Sequence, residues 1–344
     1  MADASLELPP RLPTVREVAL LAGVSPMTVS RTLAGGKNVR PEVQARVLEA
    51  VQQLDYHRNE NARSLRGHAS GLIGVAITNL SNPYYGNFAL GVEEIAAVHG
   101  RRIMLGNTGE DPSRERQLVS DFVGRQVEGL ILVPSGGDAS HLARELLRDI
   151  PLVLASRSAD GLDADTVLLD DIGGAYRGTK VLLERGHRRI GYLGNAASVF
   201  TGKRRFEGFE RALVEFGLAP DVELIKRSQQ DVESARDAMG TLLDLEDPPT
   251  AIFCANNRNT IGALKEIGAR IKQGMTEDSL PSIVSFDNFE LAEMMPVPVT
   301  VVDHDARELG RQAARMLFER LTGARNATVV RRIEMATHIW VARS

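Results

Sequence analysis

Two sets of residues in this 344-residue chain have the types and spacing to do chemistry. The first is the run Ser25, Pro26, Met27, Thr28, Ser30 and Arg31. On a helix whose Val29 and Leu33 face inward, these form an outer surface of short hydroxyls, one thioether and one guanidinium. Short polar groups with a single Arg suit contact with base edges in the major groove of duplex DNA. The second set stands at the ends of short apolar runs. Thr78, Tyr84 and Tyr85 follow 72–77, Ser135 follows 129–133, and Arg157 follows 152–155. Phe200 and Arg205 follow 190–194, while Asn256 and Asp287 end 251–256 and 283–287. Forked polar groups hold hydroxyls and flat aromatic faces cover ring C–H groups, a combination that suits a small sugar-like ligand. Singly, each residue has a plainer role: Asp287 as a loop cap, Arg205 in an ion pair between lobes, Tyr85 in packing.

The first set needs a helix-turn-helix to carry it. Thr14 with Glu17 makes a capping box, and Val15, Val18, Ala19 and Ala22 recur at helical spacing. Gly23 supplies the positive φ that ends this helix, and Ser25 caps the next with Pro26 at its first position. The spacing predicts two helices joined by a turn of about four residues. A third helix, with Val43, Val47, Val51 and Leu54 as its apolar stripe, completes a headpiece over 9–56. Residues 57–70 form a short, polar, basic linker. An isolated helix of that length is marginal in water, so this segment is expected to be unfolded alone and helical on DNA. Leu65, among Arg63, Ser64 and Arg66, is either an ordinary linker residue or a wedge for the minor groove.

The second set needs strands. From Gly71 onward, strands are expected at 72–77, 103–106, 129–133 and 152–155, with helices near 86–99, 113–126 and 140–148. The series resumes with strands at 167–170, 190–194, 222–225, 251–256 and 283–287, between helices at 174–185, 203–216, 232–245 and 259–268. A helix at 306–322 and two strands within 329–342 close the chain. Such alternation of apolar runs predicts parallel sheets buried on both faces. The fold class is therefore an all-α helix-turn-helix headpiece followed by an α/β core of two Rossmann-like lobes. Crossings near 165 and 302 give lobe 1 about 71–165 and 303–333, and lobe 2 about 166–302 and 334–344. Open α/β sheets bind ligands beyond the carboxyl ends of their strands, so the second set converges on the cleft between lobes.

Residues 14–66 resemble the headpiece and hinge of the LacI/GalR family of bacterial transcription regulators, through VALLAGVS, MTVSR and the pattern Asn59, Ala62, Leu65. NPYYGNFALGVEEIA, RRIGYLGN and FDNFELA extend the resemblance over nearly the whole chain, with a periplasmic-binding-protein-like core. The resemblance implies a homodimer on a palindromic double-stranded DNA operator. Leu65 would enter the minor groove at its centre, and Asn59 and Ala62 would make hinge contacts. Thr14 and Asn38 would join the residues of the second helix at the DNA. Arg205, Asn256 and Asp287 would hold a small-molecule effector, and FDNFELA with the NNRN stretch resembles relatives with a ribose-like or nucleoside ligand. Where the family often has Asn-Asp, this chain has Asn256-Asn257 followed by Arg258. That extra cation either faces the cleft, favouring a phosphorylated or acidic ligand, or points into solvent.

Composition fits this reading. The net charge of −4 divides unevenly, with nine Lys/Arg against five Asp/Glu between Pro9 and His68. A basic headpiece on an acidic body suits DNA binding that must also release. The single Cys254, in the apolar run AIFCA, reads as a small core residue. The first residues lack a secretory signal and no apolar run reaches the roughly 18 residues of a membrane span, so a bacterial cytoplasmic protein with no membrane partner is expected. No nucleophile elbow or phosphate loop is present, and the seven histidines are scattered, so no catalytic residue, metal or cofactor is expected. The expected function is a DNA-binding repressor answering to a sugar-like effector. The alternatives are a sugar-binding protein without a regulatory role and a regulator that needs a corepressor. No heptad tail follows the last strand, which favours a dimer over a tetramer.

Overall fold

Thr14 starts the first helix through a reciprocal cap: its N–H donates to Glu17 Oε2 at 2.6 Å, and the Glu17 N–H donates back to Thr14 Oγ1 at 3.4 Å. The helix, α1 (Val15–Ala22), ends at Gly23, whose φ of 63° is open to glycine without strain. Ser25 Oγ accepts the Thr28 N–H at 3.1 Å and opens α2 (Pro26–Leu33). With α3 (Pro41–Gln53), these helices bury Val18, Ala19, Ala22, Val29, Val47 and Ala50 together. The computed structural model describes residues 13–33, 39–56, 70–290, 292–294, 297–323 and 329–341. Asn38, Asn59, Ala62 and Leu65 lie outside the described residues. The chain divides into two compact units, Met1–Ser70 and Gly71–Ser344.

The second unit contains two lobes of one design. In the first, strands β1 (Leu72–Ile77), β2 (Arg102–Asn107), β3 (Gly129–Leu132), β4 (Leu152–Ala155) and β5 (Asp165–Leu169) pair with helices α4 (Pro83–Val98) and α5 (Pro112–Gly124). The second has α6 (Asp171–Glu184), β6 (Ile190–Gly194), α7 (Phe200–Glu215), β7 (Ile225–Arg227), α8 (Val232–Leu243), β8 (Ala251–Cys254), α9 (Asn257–Lys272), β9 (Ser282–Phe286) and β10 (Val299–Asp303). The chain then returns through α10 (Ala306–Leu321) and β11 (Arg332–Met335) to the first lobe, and through β12 (His338–Val341) to the second.

The sheet orders are β11-β5-β4-β3-β1-β2 and β12-β10-β9-β8-β6-β7, which match strand for strand. Pairing is parallel except between β10 and β12. Helices α4 and α10 touch backbone to backbone, because a Cβ on Gly91 would strike Arg307 O and one on Gly310 would strike Phe88 O. Their apolar faces bury Phe88, Val92, Leu309, Ala313 and Leu317 against the first sheet.

The first crossing falls at Asp170, not near 165. Strand–helix alternation assigns 166–170 to the second lobe, yet β5 pairs with β4 and β11 in the first sheet. No helix separates β4 from β5, so the alternation rule takes the second strand for the start of a new module. Asp165 anchors β5 to lobe 1 by accepting from Arg320 Nε (2.9 Å) and the Arg331 N–H (2.8 Å). The other crossings are His304–Asp305, between β10 and α10, and Ala336–Thr337, between β11 and β12. The latter puts Glu334 and Met335 in the first sheet, not in lobe 2 as the 333/334 boundary has it. The helix expected at 140–148 is a single 3-10 turn, Ser140–Leu142, and Arg148 and Asp149 adopt positive φ. The strand expected at 222–225 begins at Ile225, after a 3-10 turn over Val222–Leu224. Strand β10 follows Pro296 and Pro298, which hide it from propensity.

Candidate functional site

At the carboxyl ends of the second sheet, Arg205 is buried on α7 and ties three elements together. Its Nε donates to Asp171 Oδ1 (2.8 Å) at the start of α6. Its Nη1 donates to Ala255 O (2.6 Å) beyond β8 and to Asp287 Oδ2 (3.2 Å) beyond β9. The guanidinium also lies 3.7 Å from the centre of the Phe286 ring. Asp287 takes a further hydrogen bond from His304 Nε2 at 2.9 Å. Burial alone would raise the Asp287 carboxyl, but Arg205 and His304 outweigh it and hold the group at about 2. Burial wins at Asp171, whose carboxyl is raised even though Arg205 opposes the shift.

The first lobe supplies the facing wall. Arg157, beyond β4, is held by Glu110 through two bonds, Nη1 to Oε2 (2.6 Å) and Nη2 to Oε1 (2.8 Å), and donates to Pro134 O at 3.1 Å. Tyr84 and Ser156 share a hydroxyl–hydroxyl bond of 2.5 Å, and burial raises the Tyr84 phenol well above its ordinary value. Tyr84 also meets the His304 ring edge-on at 5.5 Å, so His304 spans from lobe 1's Tyr84 to lobe 2's Asp287. Ser156 and Asp287 occupy equivalent places after β4 and β9, and both are non-glycine residues at positive φ, 60° and 67°. Each still completes a strand bond, Ser156 N–H to Val167 O (2.8 Å) and Asp287 N–H to Val302 O (3.0 Å). Residues held in this region cluster where a site over-determines them.

The walls are drawn together by a reciprocal amide pair. Asn82, the cap of α4, and Asn257, the first residue of α9, exchange bonds of 3.2 and 2.9 Å. An Arg204–Glu334 ion pair links the lobes elsewhere. Between the walls lies a cavity of about 70 Å³. Its lining is drawn from both lobes.

Of the residues picked out at strand ends, Tyr84, Tyr85, Arg157, Arg205, Asn256 and Asp287 line this cavity. Asn256 also caps α9, accepting the Asn259 N–H at 2.8 Å. Three others do not line it. Thr78 is buried behind Tyr85 and donates to its hydroxyl (2.8 Å). Ser135 binds Thr108 (2.8 Å) and donates its N–H to Glu115 (2.6 Å). Phe200 lies beneath Arg204, and it and Ser135 line an adjoining cavity. Glu110, Ser156, Asn195, Gln230 and Arg258 line the central cavity without having been picked out as site residues, and Asp171 and His304 back it. The strand-end rule reaches Glu110, Asn195 and His304 once β2, β6 and β10 are all counted. Asp171 opens a helix, and no sequence signal marks it.

In the headpiece, Ser25, Pro26, Met27 and Arg31 are exposed on α2, while Thr28 and Ser30 are half-buried and Val29 is buried. Thr28 Oγ1 and Ser25 Oγ lie 2.9 Å apart. Thr14 sits at the start of α1, engaged with Glu17.

Residues 70–340 match the family model of periplasmic binding proteins and sugar-binding domains of the LacI family. Residues 14–59 match that of bacterial regulatory proteins of the lacI family. The chain belongs to the LacI family. It is similar to the transcriptional repressor PurR of Vibrio atlanticus, 32% identical over 318 residues, covering 90% of this chain and 92% of that one. The transcriptional regulator DegA of Bacillus subtilis is 32% identical over 317 residues, covering 91% and 93%. Among solved structures, a LacI-family regulator of Silicibacter pomeroyi matches with a TM-score of 0.80 at 26% identity, covering 95% and 98%. This LacI-family chain is thus a DNA-binding transcriptional repressor with a sugar-binding domain. No described helix is long and apolar enough to cross a membrane.

Proposed function

We propose that the chain acts in the cytoplasm as a homodimer on a palindromic operator, under the control of a sugar-like effector held in the inter-lobe cleft. The observation that carries the reading is the buried Arg205–Asp287 pair at the cavity, with Tyr84, Asn256 and Arg157 around it. The pair offers a fixed fork of donors and acceptors to ligand hydroxyls, in a setting where such bonds are strong. Asn82 and Asn257 are joined across this cavity, so an effector seated between the walls acts on the spacing of the lobes. The effector therefore stabilises one angle between the lobes over another, which is the differential affinity that a switch requires.

In this reading two α2 helices enter successive major grooves about 34 Å apart. Exposed Met27 and Arg31 read base edges, Pro26 shapes the approach, and Thr14, Ser25, Thr28, Ser30 and Asn38 contact the backbone or flanking bases. Residues 57–70 order when the two headpieces are held at the right spacing, with Asn59 and Ala62 in hinge contacts and Leu65 as the minor-groove wedge. Effector binding alters that spacing and releases the operator. Two variants test the halves separately. Leu65→Ala weakens binding to a selected palindromic duplex, in gel-shift titration, and leaves effector binding in place; unchanged operator affinity removes the wedge. Asp287→Ala abolishes the effector response but not repression; a mutant that still responds at ordinary ligand concentrations removes the cleft assignment.

A further inference from the structure

We propose that Arg258 anchors a compact oxyanion, a phosphate or carboxylate borne by the effector, so that the cleft selects an acidic sugar derivative over the neutral sugar. This deepens the cleft reading above and rests on it.

Three arginines line the cavity, and they differ in how their charge is met. Arg157 is neutralised by Glu110, and Arg205 is shared between Asp171 and Asp287. Arg258, at the second position of α9, makes no hydrogen bond or ion pair among the described residues, and its Nε is buried without a partner. The acid that feels its charge, Asp231, is engaged in capping α8, where its Oδ1 accepts from the Ser234 N–H and hydroxyl at 2.8 Å each.

The neighbour of Arg258 on α9 is buried away from the cavity. Asn259 is fully buried, and neither its Oδ1 nor its Nδ2 has a partner. Gln230, in the loop after β7, lines the cavity with Arg258. A guanidinium Nε buried without a partner, as at Arg258, is costly unless a ligand or water completes it. The positive end of the α9 dipole adds to the field at this corner.

The cleft is therefore polarised. Its Asp287 end accepts hydrogen bonds from hydroxyls, and its Arg258 end offers donors and an unpaired positive charge. A neutral sugar satisfies the first end only. A sugar carrying an oxyanion satisfies both, and the charge-assisted bonds at Arg258 supply the preference.

The test is calorimetric titration and thermal shift of the full chain with matched triples: ribose, ribonate and ribose phosphate; glucose, gluconate and glucose phosphate. Inorganic phosphate serves as the free-ion probe. An anionic member is expected to bind at least about tenfold tighter than its neutral parent. Arg258→Gln collapses that ratio towards one, and Arg258→Lys restores part of it. Which anion prevails separates phosphate from carboxylate. The inference is overturned if no anionic member binds, if a neutral parent binds as tightly, if Arg258→Gln keeps the ratio, or if inorganic phosphate gives the same shift in both proteins. Asp287→Asn separates the two readings. Neutral sugars that bind and are lost in Asp287→Asn keep the cleft while the anion site falls; binding untouched by Asp287→Asn removes the cleft itself.

Discussion

On the lobe 1 face of the cleft, Arg157 is closed off by Glu110 and Pro134 O, Tyr85 by Thr78, and Tyr84 by Ser156. In lobe 2, Arg258 on the cleft keeps a buried polar atom without a partner, as do Asp171 behind it and Asn259, Gln229 and Arg227 elsewhere in the lobe. Among the described residues, eight such atoms lie in the second lobe and one, His141 Nδ1, in the first. The lobes share a strand order, so topology does not explain the imbalance. It sets lobe 1, where nearly every buried polar group is met from within, against lobe 2, where several await a water or a ligand.

The largest test of this contrast compares two arginines. Arg205→Met leaves Asp171 and Asp287 buried without their cation, and an expected loss of about 3–5 kcal/mol is read by urea unfolding. Arg157→Met strands Glu110, whose side chain is already 39% exposed and can turn to water. Its expected loss is smaller, about 1–3 kcal/mol. Equal losses would break the contrast.

Acid sharpens it next. The Asp287 carboxyl sits at about 2 in the folded chain against an ordinary 3.8. A depressed acid adds stability that is fully present above its unfolded value and is lost as pH falls through the folded one, here roughly 2 kcal/mol between about pH 4 and pH 2. The raised Asp171 acts in the opposite sense, since its protonation favours the folded state. Asp287→Asn should therefore flatten or reverse the acid limb of stability against pH; an unchanged limb shows that Asp287 is not its source.

The contact between lobes is weaker. A double-mutant cycle on Asn82→Ala and Asn257→Ala is expected to give a coupling of about 1 kcal/mol in thermal unfolding, and a coupling near zero would mean that the amide pair does not hold the walls together. The smallest effect belongs to Ser156→Gly. Relief of the positive φ offsets loss of the Tyr84 bond, leaving stability within about 1 kcal/mol of the parent, whereas Asp287→Gly falls far below it. Matching losses at these twin positions would show that backbone strain, not side-chain chemistry, distinguishes them.

The headpiece was the most legible part of the sequence, because its determinants are local. Thr14 with Glu17, and Gly23 with Ser25 and Pro26, set caps from residues within four positions of each other, and the structure has each cap in place. The cleft was legible to the level of strand ends. Tyr84, Arg157, Arg205, Asn256 and Asp287 sit beyond strands, and all line the cavity. What the pattern does not carry is how far a loop runs on before turning inward. Ser135 and Glu110 each stand three residues beyond a strand, yet Ser135 turns to Thr108 while Glu110 reaches Arg157 in the cavity. Partnerships such as Arg205–Asp171 join residues on separate elements, and periodicity holds no information about them. His304 was hidden because its strand, β10, sits behind two prolines.

The passages between lobes are Asp170, His304–Asp305 and Ala336–Thr337, one or two residues each, and all leave from the outer two strands at the same edge of the sheets. Two plates stitched three times along one side can neither slide nor twist freely; they swing about the seam. On the reading proposed above, a guest pressed into the open side would set the angle by its thickness, and the rim farthest from the seam would travel most. Molecular size would thereby be turned into displacement, with His304 lying in the middle stitch.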